Sequence, residues 1–253
     1  METSKKDKIK NCIAIVIFVI IVSIVGIMII KYQVKGENNM PFNLSKITII
    51  STAASKTEDE NNIESIKQNP QWNLQVNQIN DLYFFVDKND EYKKEAMLES
   101  VTIENIKVTT VPKKGNIKAY MPNSIDGLPY DYKDTYLVKD SLTYTGAKES
   151  NEKNLEIGNQ GGKALLGIVN TNIGTYTSSE DRGTSYDGTL ITKANASMDE
   201  IKFTVNFDFI IKSRNIKYKA NISLDLPCGS ITEKGTEQIE KTDMSDIIFK
   251  RIK

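Results

Sequence analysis

From Cys12 to Ile30 the chain runs for 19 residues with no charge and no proline (Cys12-Ile-Ala-Ile-Val-Ile-Phe-Val-Ile-Ile-Val-Ser-Ile-Val-Gly-Ile-Met-Ile-Ile30). No other segment restricts the fold as severely. At about 1.5 Å rise per residue, a helix of this length reaches about 28 Å, close to the roughly 30 Å hydrocarbon thickness of a bilayer. A core helix of a soluble protein normally keeps polar residues on at least one face, and within this run only Ser23 carries a hydroxyl. The expected element is a transmembrane helix over residues 12–30, with the lipid bilayer as its partner.

A cleaved secretory signal shares the basic start, but its apolar part is usually about 7–15 residues long and ends at small residues. Here the exit reads Met28-Ile-Ile-Lys31-Tyr-Gln-Val-Lys35, without an Ala-x-Ala pattern, so an uncleaved signal anchor is expected. Residues 1–11 carry Lys5, Lys6, Lys8 and Lys10 against Glu2 and Asp7, while only Lys31 and Lys35 lie just beyond the span. By the positive-inside rule the leader stays cytoplasmic and the remainder is exported. The expected protein is thus single-pass in the cell membrane, with a leader (1–11), the span (12–30), a tether (31–44) and an extracytoplasmic domain (45–253). Type IV pilin precursors also begin with a basic leader and an apolar helix, but their Gly cleavage site and the Glu inside the apolar run are missing.

Composition narrows the chemistry. The chain has 33 basic and 33 acidic residues, an even balance that leaves no electrostatic footprint for nucleic acid. It contains no histidine, which removes Ser-His-Asp and Cys-His hydrolases and histidine-ligated zinc sites together. The two cysteines, Cys12 at the membrane edge and Cys228 in the exported part, cannot plausibly pair, so disulfide-dense scaffolds are excluded. Heavy use of Lys, Ile and Asn beside only Arg182, Arg214 and Arg251 suits an AT-rich genome. The sequons at Asn43, Asn195 and Asn221 would matter only in a eukaryotic secretory route.

The strongest pattern after the span lies near the C-terminus. Ile201, Phe203, Val205, Phe207, Phe209 and Ile211 alternate with mostly polar residues, and after Ser213-Arg-Asn215 the alternation resumes at Ile216, Tyr218, Ala220, Ile222, Leu224 and Leu226. This period of two predicts a long hairpin with one dry face. No amphipathic helix of adequate length is available to cover that face, so a second sheet is expected. Further strands are expected at Ile47–Ile50, Trp72–Gln78, Asp81–Val86, Val101–Val111 and Ile117–Tyr120, with shorter ones at Tyr136–Val138 and Ser141–Thr145. Residues 54–71 read as an exposed loop. The fold class is therefore mainly β: an N-terminal transmembrane helix followed by an exported, antiparallel β-sandwich-like domain. Residues 122–162, richer in Asp, Tyr, Gly and Pro, could divide that domain in two, but the segment 45–121 offers too few clean strands to stand alone.

Several segments invite a functional reading. Gly158-Asn-Gln-Gly-Gly-Lys163 resembles a phosphate-binding loop, yet Ile157 stands at the first glycine position and Ala164 follows the lysine, so a turn entering a strand is expected. Asp87-Lys-Asn-Asp-Glu91 alternates oxygen ligands as calcium prefers, but Tyr92 and Leu98 occupy the positions where an EF-hand needs glycine and glutamate. Ser179-Glu-Asp-Arg-Gly183, Asp131 and Asp134 read as loop residues. Cys228 lacks a histidine base and reads as a half-buried thiol at a strand end. No motif nominates a Ser-Lys dyad or a carboxylate pair for glycoside hydrolysis. Tyr83, Phe84 and Phe85, with the tyrosines at 120, 130, 132, 136 and 144, either fill a core or offer a binding surface. No catalytic, metal-binding or cofactor-binding residue is assigned.

The segments Met40-Pro-Phe-Asn-Leu-Ser-Lys-Ile-Thr-Ile-Ile-Ser-Thr-Ala53 and Trp72-Asn-Leu-Gln-Val-Asn-Gln-Ile-Asn-Asp-Leu-Tyr-Phe-Phe-Val-Asp-Lys-Asn89, placed after a Lys-flanked anchor, resemble uncharacterised single-pass membrane proteins of clostridia-like, low-GC Gram-positive bacteria. The resemblance implies location and source, and brings no activity or site residue with it. The expectation is a membrane-anchored, non-catalytic binding or assembly module of the cell envelope, with an envelope or membrane protein as partner. Two alternatives stand beside it. One is a carboxylate-dependent enzyme acting on cell-wall polymer; the other is an accessory subunit of a membrane complex, where Ser23 and Gly26 could support helix contacts.

Overall fold

The computed structural model describes residues 2–57, 72–122, 138, 140–145, 157–178 and 188–252. It begins with a helix, α1 (Glu2–Lys35). Its stretch Ile13–Ile30 is long and apolar enough to cross a membrane, and none of that stretch is buried within the protein.

The rest is mainly β. One antiparallel sheet contains β1 (Phe42–Thr57), β2 (Trp72–Lys88), β4 (Asn116–Tyr120), β6 (Ile157–Gly158), β7 (Gly161–Ser178) and β10 (Thr236–Lys241). The other contains β3 (Leu98–Thr110), β5 (Ser141–Thr145), β8 (Phe203–Ser213), β9 (Ile216–Leu226) and β11 (Lys250–Ile252). The first sheet runs β10-β1-β2-β7-β4 with β6 also on β7, and the second runs β11-β9-β8-β3-β5. Three four-residue helices, α2 (Leu190–Lys193), α3 (Met198–Ile201) and α4 (Ile231–Lys234), complete the described elements.

The hairpin read from the alternation is β8–β9. Ser213 pairs with Ile216, and Arg214 and Asn215 both take positive φ, 53° and 58°, the two-residue I′ geometry that matches strand twist. Its dry face buries Phe203, Val205, Phe207, Phe209 and Ile211. Those side chains share one hydrophobic cluster with Phe42, Leu44, Ile47, Leu82 and Phe84 of the first sheet. Phe84 makes the join: its ring centroid lies 5.4 Å from that of Phe207 and 5.1 Å from that of Phe209. Ile201, expected at the head of the strand, instead closes α3, and Ile210 of the expected wet face is also buried.

Other elements run longer than local pattern indicates. β1 starts at Phe42 and continues to Thr57, where a tether reaching residue 44 and a loop from residue 54 are expected. Trp72–Gln78 and Asp81–Val86 are one strand, β2, hydrogen-bonded to β1 on one side and β7 on the other. Two long neighbours keep a strand continuous through polar residues that on their own read as a break. Strands from before and after residues 122–162 mix in both sheets: β1, β2 and β4 lie with β7 and β10, and β3 lies with β8 and β9. Most of 123–156, including Tyr136 and Leu137 of one expected strand, falls outside the described residues, as does Ser179–Gly183.

Candidate functional site

The helix α1 enters the β-structure at one end of both sheets. Between Lys35 and β1 lie only six residues, and they are held in place. The Glu37 N–H donates to the Phe249 carbonyl at 2.7 Å, the Asn89 N–H to the Pro41 carbonyl at 2.9 Å, and Asn89 Nδ2 to the Met40 carbonyl at 2.8 Å. Met40 and Pro41 are buried. Gly36, at φ +74°, lies so close to the C-terminal segment that a Cβ there would stand 2.4 Å from Ile248 Cγ2. The junction, within the short tether expected over residues 31–44, is thus hydrogen-bonded to Phe249 and Asn89.

Two clefts open at this end. One, of about 650 Å³, lies between the junction and the segment that links β10 to β11, with Met40, Leu44 and Phe249 inside and Glu37, Asn43 and Ser245 at its rim. The other, of about 510 Å³, is lined by Lys88, Glu95, Met97, Glu99, Gln160 and Arg214. Its charges balance, and Glu99 is already engaged. Lys212, with Nζ 2.8 Å away, and the Asn215 N–H hold its carboxyl below the ordinary glutamate range.

Among the described residues, the most perturbed carboxyl lies elsewhere, in the middle of the first sheet. Across three neighbouring strands, Tyr120 pairs with Gly167 and Gly167 with Asp81, so the three share one face. The Tyr120 ring crosses directly over Gly167 and its hydroxyl donates to Asp81 Oδ1 at 2.7 Å. A Cβ at position 167 would fall 2.2 Å from the ring, which is why glycine stands there although its φ is not strained. Asp81 is fully buried and its Oδ2 has no hydrogen-bond partner. Burial pushes its pKa up to about 7, against the smaller lowering by the Tyr120 hydroxyl. Gly167→Ala is therefore expected to displace the ring and lower stability by about 1–3 kcal/mol, read as a drop in the urea midpoint of the full chain in detergent.

On the opposite face of β2 a polar cluster closes the core. Ser51 Oγ and Gln78 Nε2 both donate to Asn80 Oδ1, at 2.7 and 3.1 Å, while Asn80 Nδ2 donates to the Ile168 carbonyl at 3.0 Å. The Cys228 N–H donates to Ser51 Oγ at 2.9 Å. This ties the end of β9 to the first sheet, because buried polar groups must find partners and so fix their neighbours.

The segments singled out in the sequence separate in space. Gly158 to Lys163 forms the tight β6–β7 turn, entered through Gly161 and Gly162 at positive φ. Asp87, near the end of β2, accepts a short hydrogen bond from Ser45 Oγ, while Asn89 Oδ1 accepts from the Glu91 N–H at 3.0 Å, so these oxygens serve the turn itself. Cys228 is a buried thiol packed against the carbonyls of Ile49 and Glu237. Tyr120 and Tyr144 are buried, the latter donating to the Leu165 carbonyl at 2.9 Å. Tyr130, Tyr132, Tyr136, Asp131 and Asp134 lie outside the described residues. Within α1, the Ser23 hydroxyl donates to the Val19 carbonyl at 2.8 Å. Sequence reasoning does not single out Asp81, Tyr120 or Gly167 as a group. The available signal is the run Asn77-Gln-Ile-Asn-Asp81, which places polar residues on both faces of a strand with apolar ends.

Among the described residues, no group of three or more His, Cys, Asp or Glu is gathered to hold a metal ion. Comparison with protein families, curated proteins and solved structures returned no match.

Proposed function

We propose that this protein is a single-pass, membrane-anchored binding or assembly module of the cell envelope, with a cytoplasmic N-terminus and an exported β-sandwich-like domain that performs no catalysis of its own. The observation that carries the reading is α1, whose apolar stretch Ile13–Ile30 is not buried against any of the described residues. Lipid is the environment that hides such a surface at least cost. Lysines concentrated before the span favour the exported orientation, and the resemblance to clostridia-like single-pass proteins agrees with it. A sandwich of one domain is supported by the cluster shared between the sheets and by strands from both halves of the chain mixing in each sheet.

Two observations favour binding over chemistry. The chain has no histidine, and among the described residues the carboxyl most displaced toward neutrality, that of Asp81, is sealed between strands where no polymer reaches it. The clefts, by contrast, lie where the helix joins the sheets, a position suited to a partner in or on the membrane. The test is a C-terminal tag on the full chain in intact cells. Cleavage of the tag by external protease, with the chain still resisting alkaline extraction, is the expected result; protection of the tag overturns the orientation. Crosslinking through the same tag is expected to recover a stoichiometric envelope or membrane protein. Recovery of wall glycan alone would replace this reading with the polymer-acting one.

A further inference from the structure

The way α1 meets the β-structure restricts where that structure can sit. The helix continues unbroken from the end of the apolar stretch, Ile30, to Lys35, so Gly36 stands about 9 Å beyond Ile30 along the axis. A head-group layer adds roughly 5–7 Å to each side of the hydrocarbon core. If the span lies in the bilayer, Gly36 is therefore at the outer edge of the head groups. Of the six residues after Lys35, Glu37 is hydrogen-bonded to Phe249, and Met40 and Pro41 to Asn89, so the sheets are held close to the end of α1.

Two exposed apolar side chains lie at the end where Gly36 stands. Ile248, nearly half exposed, abuts Gly36. Met97, on the segment between β2 and β3, is more than half exposed. It lies at the same end, since Lys88 at the close of β2 pairs with Phe42 at the start of β1, and Leu98 at the start of β3 pairs with Ser213. Outside α1, only four large apolar side chains among the described residues are exposed: Met97, Val111, Ile239 and Ile248. Two of the four thus occupy the end that α1 enters. Lys93, Lys94, Lys250 and Arg251 flank them in sequence beside Glu91, Glu95, Glu99 and Asp246, so the apolar side chains and the short link to α1, rather than net charge, carry the contact.

We infer that this end of the β-structure is a second membrane contact, in which the segments around Met97 and Ile248 rest on the head-group layer of the leaflet that α1 leaves. The occupant of the surface is phospholipid, and the contact orients the domain on the bilayer. This inference rests on the anchor reading proposed above.

The experiment uses the full chain in nanodiscs of phosphatidylcholine and phosphatidylglycerol. Single tryptophans are placed by Met97→Trp, Ile248→Trp, Val111→Trp and Ile20→Trp in a Trp72→Phe background. Lipids spin-labelled at the head group are expected to quench the Met97→Trp and Ile248→Trp variants at least about twofold more than the Val111→Trp variant, as interfacial side chains should be. Lipids brominated along the acyl chain are expected to quench the Ile20→Trp variant. If that variant is quenched while Met97→Trp and Ile248→Trp behave like Val111→Trp, the second contact is overturned and the anchor stands. If Ile20→Trp is not quenched, the anchor reading fails and takes the contact with it. The unmodified chain offers an independent readout through peroxide oxidation. Met97 is exposed and Met198 only partly so, yet in nanodiscs Met97 is expected to oxidise more slowly; faster oxidation of Met97 overturns the contact.

Discussion

Raising the pH from 5 to 8 is expected to lower the unfolding free energy of the full chain in detergent by roughly 3 kcal/mol, and Asp81→Asn is expected to abolish that dependence. The cause is the buried carboxyl. Its pKa is about 7 in the folded protein against an ordinary aspartate value of 3.8. Between those values the folded state holds a proton that the unfolded chain has released. The stabilisation is therefore complete below the unfolded pKa and is lost as pH rises through the folded one. The chain has no histidine, so few other groups titrate in this window and the slope belongs largely to Asp81. Urea unfolding followed by circular dichroism at several pH values measures it. A flat profile in the unaltered chain would mean that Asp81 is already ionised at pH 5. Tyr120→Phe removes the hydrogen bond that favours the carboxylate and should move the window to higher pH.

Phe84→Ala should be the most damaging single truncation, costing about 3–5 kcal/mol. Phe84 is fully buried and its ring meets those of Phe207 and Phe209 of the second sheet. Its loss opens a cavity between two sheets, each held in shape by its own strand ladder and so not free to collapse into the gap. Phe85, next in the strand, points to the other face, is partly exposed and carries Lys46 Nζ 4.5 Å from its ring centroid. Phe85→Ala should cost distinctly less. Equal shifts in the urea midpoint for the two variants would mean that the sheets do not depend on the Phe84 contact.

The contrast between Phe84 and Asp81 marks how much of the structure was legible beforehand. Where alternation is strict, as in Phe203 to Leu226, the period of two decides which face is dry, and the hairpin follows even to its turn at Arg214 and Asn215. In Asn77 to Asp81 the pattern fails because both faces of β2 are covered, and the polar side chains find partners distant in sequence. Asp81 meets Tyr120, 39 residues away, and Asn80 meets the Ile168 carbonyl, 88 residues away. No local rule predicts such pairs.

The amino-acid sequence alone determined the apolar helix near the N-terminus, the mainly β character of the chain beyond it and the want of histidine chemistry, since each depends on residue type and short-range spacing. Only the tertiary structure decided that β1 and β2 run on through polar residues, that the expected tether is bound to Phe249 and Asn89, and that Asp81 is enclosed beneath Tyr120. These features arise from side chains and strands brought together over long stretches of chain, where burial and hydrogen-bond satisfaction outweigh local preference.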